Sequence, residues 1–155
     1  MSPHNDKETM DTYRSQLAVS RFKEGFSCSQ AVLSAFSDTF GLDLRLSLKI
    51  SQPFGGGIAH LGEMCGAVSG ALMVIGLKYG RTKAEDIWAR EKTYQVVKKF
   101  LDGFKEARGT IICRELLGYN LDTEEGYKKA EEEKLFETFC PKLVQLSAEI
   151  LESLI

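Results

Sequence analysis

The chain has 155 residues, 43% hydrophobic and 27% charged, with a net charge of −2 and a pI near 5.8. This composition describes one domain with one buried core, and lysines interleaved with glutamates leave no basic stripe for nucleic acid. The longest apolar run, Ala71 to Ile75, falls far short of the roughly 20 residues of a membrane span, so the expected location is the cytoplasm.

Residues 1–8 read as a disordered leader, followed by a single helical domain over 9–155. From Met10 the positions Tyr13, Leu17, Phe22 and Phe26, with Ala18 and Val19, keep a helical period, and Gly25 marks its end. In Ser27-Cys28-Ser29-Gln30, serine precedes glutamine by three residues, which is the pattern of a capping box and starts a second helix. That helix presents Ala31, Val32, Ala35, Phe36 and Phe40, with Gly41 at its close. Leu42 to Ile50 alternates apolar and polar residues, yet no second stretch of similar pattern exists to pair with it, so a helix is expected.

Phe54-Gly55-Gly56-Gly57 then leads into Gly62-Glu63-Met64-Cys65-Gly66-Ala67-Val68-Ser69-Gly70. Gly62, Gly66 and Gly70 recur every fourth residue, which places them on one face of a helix expected over 62–79. Glycine inside a helix costs roughly 1 kcal/mol relative to alanine, so three in register point to close packing or a ligand. This helix is apolar nearly all round and is expected to be the buried centre of the molecule. Thr82 and Glu85 suggest the cap of a long helix reaching Arg108, with Ile87, Tyr94, Val97, Leu101 and Phe104 inward and Gly109 terminal. Thr110 is a candidate cap for a short helix over 111–117, closed by Gly118. The stretch 124–134 is dominated by glutamate and lysine and reads as a solvated helix face. Cys140-Pro141 opens the last helix, whose stripe is Leu143, Val144, Leu146, Ile150 and Leu154. The fold class is all-α: a bundle of roughly seven helices around a glycine-rich central one.

The four cysteines, Cys28, Cys65, Cys113 and Cys140, form no CxxC pair or zinc knuckle, so a joint site must be assembled by the fold. Each lies within about a turn of an expected helix start, where free N–H groups favour a thiolate. Convergence of all four near Gly55–Gly57 is therefore expected. His60, five residues before Cys65, is a candidate base or thiolate partner. Gly55, Gly56, Gly57, Gly66 and Gly70 are the candidate ligand-facing glycines, although no P-loop lysine accompanies them.

These residues resemble the C_GCAxxG_C_C family of redox-active proteins. Cys28, Cys65-Gly66-Ala67-Val68-Ser69-Gly70, Cys113 and Cys140 reproduce its order, and similarity covers Phe26 to the last helix. The resemblance implies a small helical protein, redox-active through its cysteines.

Three functions compete. In a thiol redox protein, Cys65 and one other cysteine would cycle between dithiol and disulfide against a thiol, a disulfide or a redox partner protein. In a metal- or iron–sulfur-binding protein, Cys28, Cys65, Cys113 and Cys140 would be the ligands. In a helical interaction protein the cysteines would only pack. Homo-oligomerisation is left open.

Overall fold

A computed structural model describes residues 3–155, with side chains from Tyr13 onward. Among the described residues the chain forms nine α-helices and two short 3-10 turns, with one isolated antiparallel bridge and no strand. α1 (Pro3–Glu24) begins earlier than the expected Met10, because proline's fixed φ suits a first helical position. Helical backbone therefore covers most of the stretch expected to be a leader; residues 1 and 2 lie outside the described residues.

α2 (Cys28–Phe36) starts at a complete capping box. The Ser27 N–H donates to Gln30 Oε1 at 3.0 Å, and the Gln30 N–H to Ser27 Oγ at 3.4 Å. α3 (Leu44–Ser51) is indeed a helix, capped by Asp43. Its inward residues are the small Ser47 and Ser51, while Leu44, Leu46 and Ile50 stay about half exposed. Two side chains of α2 fasten it: Gln30 Nε2 donates to the Leu48 carbonyl at 3.0 Å, and Ser29 Oγ to the Ser51 carbonyl at 2.7 Å.

α4 (Gly66–Tyr79) starts four residues later than expected. Gly62 is left-handed, with φ of 74°, and residues 63–65 run antiparallel to residues 111–113. The Cys65 N–H donates to the Ile111 carbonyl and the Cys113 N–H to the Glu63 carbonyl, both at 2.7 Å. Those bonds take groups that a helical turn would have used. Gly62 and Glu63 therefore leave the helix, and the glycine register on α4 reduces to Gly66 and Gly70. Glu63 ion-pairs instead with Arg114 at 3.3 Å. Residues 66–71, with Val74 and Ile75, are buried, whereas Leu77 and Lys78 face outward.

α5 (Ile87–Arg108) is capped by Asp86, which accepts from the Ala89 N–H at 3.0 Å; Thr82 lies outside the helix. Its inward face is Ala89, Val96, Phe100 and Phe104, while Ile87 and Tyr94 are exposed. This stripe neighbours the expected one and shares Phe104 with it; packing selects the stripe that seats the whole Phe100 ring in the core. α6 (Cys113–Leu117) has Ile112 at its cap position, and Thr110 instead accepts the Ile112 N–H at 3.1 Å. α7 (Glu124–Glu132) is capped by Thr123 and carries a Glu125–Lys129 pair at 3.0 Å. The four-residue α8 (Leu135–Thr138) and α9 (Cys140–Leu154) complete the chain.

α2 packs on α1 and α4, and α9 reaches α1, α4 and α5. Leu33, Phe36, Ile75, Phe100, Phe104, Leu143 and Leu151 fill the core between them. A smaller cluster of Leu117, Leu121 and Ala130 with Cys113 and Cys140 lies under α7 and α8. No helix among the described residues is long and apolar enough to cross a membrane.

Candidate thiol site

Cys28, Cys113 and Cys140 are the first residues of α2, α6 and α9, and Cys65 is the cap residue of α4. All four line one cavity of about 590 Å³, together with Gly55, Gly56, Gly57, Gly66 and His60. Local sequence explains each placement. The capping box fixes Cys28, Pro141 sets the first turn beyond Cys140, and the pairing of residues 63–65 with 111–113 holds Cys65 and Cys113 on neighbouring segments. All four are free thiols; Cys28 is half-buried and the others are buried.

The glycines act mainly by letting groups approach. A β-carbon on Gly57 would lie 2.6 Å from the Glu63 nitrogen and 2.7 Å from Cys113 Cβ, so only glycine lets the loop pass behind Cys113. Gly55 similarly admits Ser27, and Gly56 admits the His60 ring. Gly66 faces Cys28 and the backbone at Ser29. Gly70 does not line the cavity: its missing side chain makes room for the Ser29 carbonyl, at 2.7 Å, so this position seats α2 on α4. Residues 56–60 all have φ between 47° and 70°, forming a left-handed turn that includes Ile58, Ala59 and His60. Non-glycine residues in that region cost of the order of 1 kcal/mol each. The N–H groups of residues 58–63 are used on carbonyls of residues 53–58, so the loop is not an open anion cradle.

The thiols differ electrostatically. A hydrogen bond with Cys140, then burial, raises the Cys28 thiol well above its ordinary value. The same hydrogen bond lowers Cys140 against the opposing effect of burial. The two sulfurs thus titrate as a coupled pair, with Cys28 as hydrogen-bond donor and Cys140 as acceptor. Burial pushes Cys65 up to about 11, although the N–H groups of Ala67 and Val68 partly offset it. Burial, then repulsion from Cys65 and Cys140, pushes Cys113 up to about 12. The expectation that helix starts lower every thiol fails at three of the four: at Cys65 and Cys113 desolvation outweighs any help from the helix start, and at Cys28 the hydrogen bond with Cys140, then burial, raises the thiol. Among the described residues, no three His, Cys, Asp or Glu side chains are arranged to hold a metal ion.

His60 stands at the exposed mouth, its ring 5.4 Å from that of Tyr127, and Tyr127 lies 5.3 Å from Phe136. Tyr127 and Phe136 line the cavity and were not among the expected site residues. For Tyr127 a signal was present: it is a lone aromatic residue within a stretch of charge, where solvation alone favours none.

With this geometry in place, comparison is decisive. The family model described as "Putative redox-active protein (C_GCAxxG_C_C)" matches residues 26–154. The chain belongs to the C_GCAxxG_C_C family. Membership carries a redox role in general terms. No curated protein and no solved structure matches the chain. Cys28, Cys65, Cys113 and Cys140 of this C_GCAxxG_C_C protein all lie within the matched residues, as does the cavity wall except for Phe22 and Gly25.

Proposed function

We propose that the protein is a thiol–disulfide redox protein in which Cys140 is the nucleophile and Cys28 the resolving thiol. The observation that carries this reading is the hydrogen bond between the two sulfurs, which lowers one thiol and raises the other. Thiolate is the attacking species in disulfide exchange, so Cys140 is the thiol poised to act. Its sulfur attacks one sulfur of a substrate disulfide, forming a mixed disulfide and releasing the first substrate thiolate. Cys28 then attacks the Cys140 sulfur and gives up its proton to the departing second thiolate. The substrate gains two electrons, and the protein is left with a Cys28–Cys140 disulfide. His60, at the mouth, is placed to exchange protons with leaving thiols. Cys65, which led the sequence reading, stays neutral near pH 7 and serves with Cys113 as an apolar wall.

A thiol or disulfide, or a thiol-bearing partner protein, would be the substrate, in the cytoplasm. The serine variants provide the test. Cys140→Ser should abolish reduction of a small disulfide, and Cys28→Ser should stop at the mixed disulfide, detectable by mass. Full activity in both variants would overturn the assignment.

A second reading, a four-thiolate iron–sulfur centre, draws on another observation: all four cysteines face one cavity. A cluster is larger than one ion, so its ligands stand further apart than those of a single metal. Iron and sulfide analysis of protein purified without oxygen separates the two, since stoichiometric iron with a visible charge-transfer spectrum would favour the cluster over the dithiol.

A further inference from the structure

The cavity that holds the thiols has a composition of its own. No Lys, Arg, Asp or Glu lines it, so no permanently charged side chain there would pair with a phosphate or a carboxylate; His60 stands only at the exposed mouth. One wall is a row of rings, His60, Tyr127 and Phe136, running from solvent to the half-buried interior, with successive centroids 5.4 and 5.3 Å apart. Cys140, at the inner end, is only 5% exposed. A disulfide carried on a folded protein surface would have to bring its sulfur past this row, whereas a small flat molecule can lie along it. A volume of about 590 Å³ is within the range of small-molecule sites.

Resting on the dithiol reading above, we infer that the cavity binds an uncharged planar two-electron acceptor of the quinone class, stacked on Tyr127 and reduced by Cys28 and Cys140. Alternatives fit less well. Glutathione disulfide carries carboxylates, and flavin or nicotinamide nucleotides carry phosphates, none of which finds a lysine or arginine on these walls. A quinone needs none. In the reaction the Cys140 thiolate adds to a ring carbon, and the displaced ring electrons move to a carbonyl oxygen. The Cys28 sulfur then attacks the Cys140 sulfur; the S–S bond forms, the C–S bond breaks, and its electron pair stays in the ring. The Cys28 proton and one proton from solvent complete the two hydroxyls. Quinone becomes hydroquinone as the dithiol becomes a disulfide, and a small dithiol resets the pair.

The test uses reduced full-length protein under anaerobic conditions with 2,3-dimethyl-1,4-naphthoquinone, whose substituted ring cannot rearomatise around a retained thioether. One equivalent of hydroquinone should appear per protein, with a Cys28–Cys140 disulfide in the peptide map. Tyr127→Ala should slow this reaction about tenfold while Tyr127→Phe, which keeps the ring, stays near wild type. If bis(2-hydroxyethyl) disulfide forms the Cys28–Cys140 disulfide but the quinone is not reduced, or is reduced equally well by Tyr127→Ala, the ring site is wrong and the dithiol stands. If neither oxidant forms that disulfide, the dithiol reading falls and this inference falls with it.

Discussion

At the scale of single residues, the site turns on the hydrogen bond between two sulfurs. Cys28 donates it and Cys140 accepts it, which raises the one thiol and lowers the other, so each residue's ionisation is a property of the pair. Removing the donor should therefore raise Cys140. In Cys28→Ala, the pH profile for alkylation of Cys140 by iodoacetamide should move to higher pH; an unmoved profile would show that the hydrogen bond does not set its reactivity. The neutral thiols make the opposite kind of prediction. Cys65 and Cys113 are raised from an ordinary 9.0 to about 11 and about 12. Between pH 9 and those values the unfolded chain has lost protons that the folded one still holds, so their contribution is full below pH 9 and is lost as pH rises. The slope is about 1.4 kcal/mol per pH unit for each thiol. Urea unfolding of the reduced protein between pH 8.5 and 10.5 should show this decline, and Cys65→Ala should flatten it even though the variant is less stable at pH 7.

Secondary-structure elements are joined here through absent side chains. Gly70 seats the Ser29 carbonyl of α2 against α4, and a methyl there would stand 2.7 Å from it. Gly70→Ala should cost about 1–3 kcal/mol by overpacking. Gly76, on the same helix, has nothing within 4 Å of a built β-carbon, and Gly76→Ala should gain up to about 1 kcal/mol from helix propensity. Equal effects at the two positions would mean that α2 does not rest on α4 through Gly70. These elements also show what local sequence reveals. Ser27 with Gln30, Asp43 before α3, Gly41, Gly109 and Pro141 act within a few residues of themselves, so each boundary they mark could be read directly. The start of α4 could not, because residues 63–65 take partners at 111–113 that no window of sequence contains. The face of α5 was missed for a related reason. Two adjacent stripes both keep helical period, and only the surroundings of Phe100 choose between them.

Across the whole molecule, the fold gathers into one cavity four cysteines spread over most of the chain. The placement of Cys28 and Cys140 at helix starts was legible from the capping box and from Pro141, and so was the proximity of the glycine loop. Which of the four cysteines pair was not, since the Cys28–Cys140 hydrogen bond depends on α2 and α9 meeting at their N-terminal ends. The cavity wall contributed by α7 and α8 was harder to read, because 124–134 reads as a charged surface in which Tyr127 is the single aromatic residue. The central claim is that Cys28 and Cys140 form one redox couple while Cys65 and Cys113 stand aside. The direct measurement is an anaerobic titration in graded mixtures of 2-mercaptoethanol and its disulfide, quenched by alkylation and mapped by peptide mass. Cys28 and Cys140 should lose alkylation together along one two-electron curve, with Cys65 and Cys113 free throughout. A disulfide that joins either of them to Cys65 or Cys113, or four thiols that stay reduced across the whole series, would contradict the account.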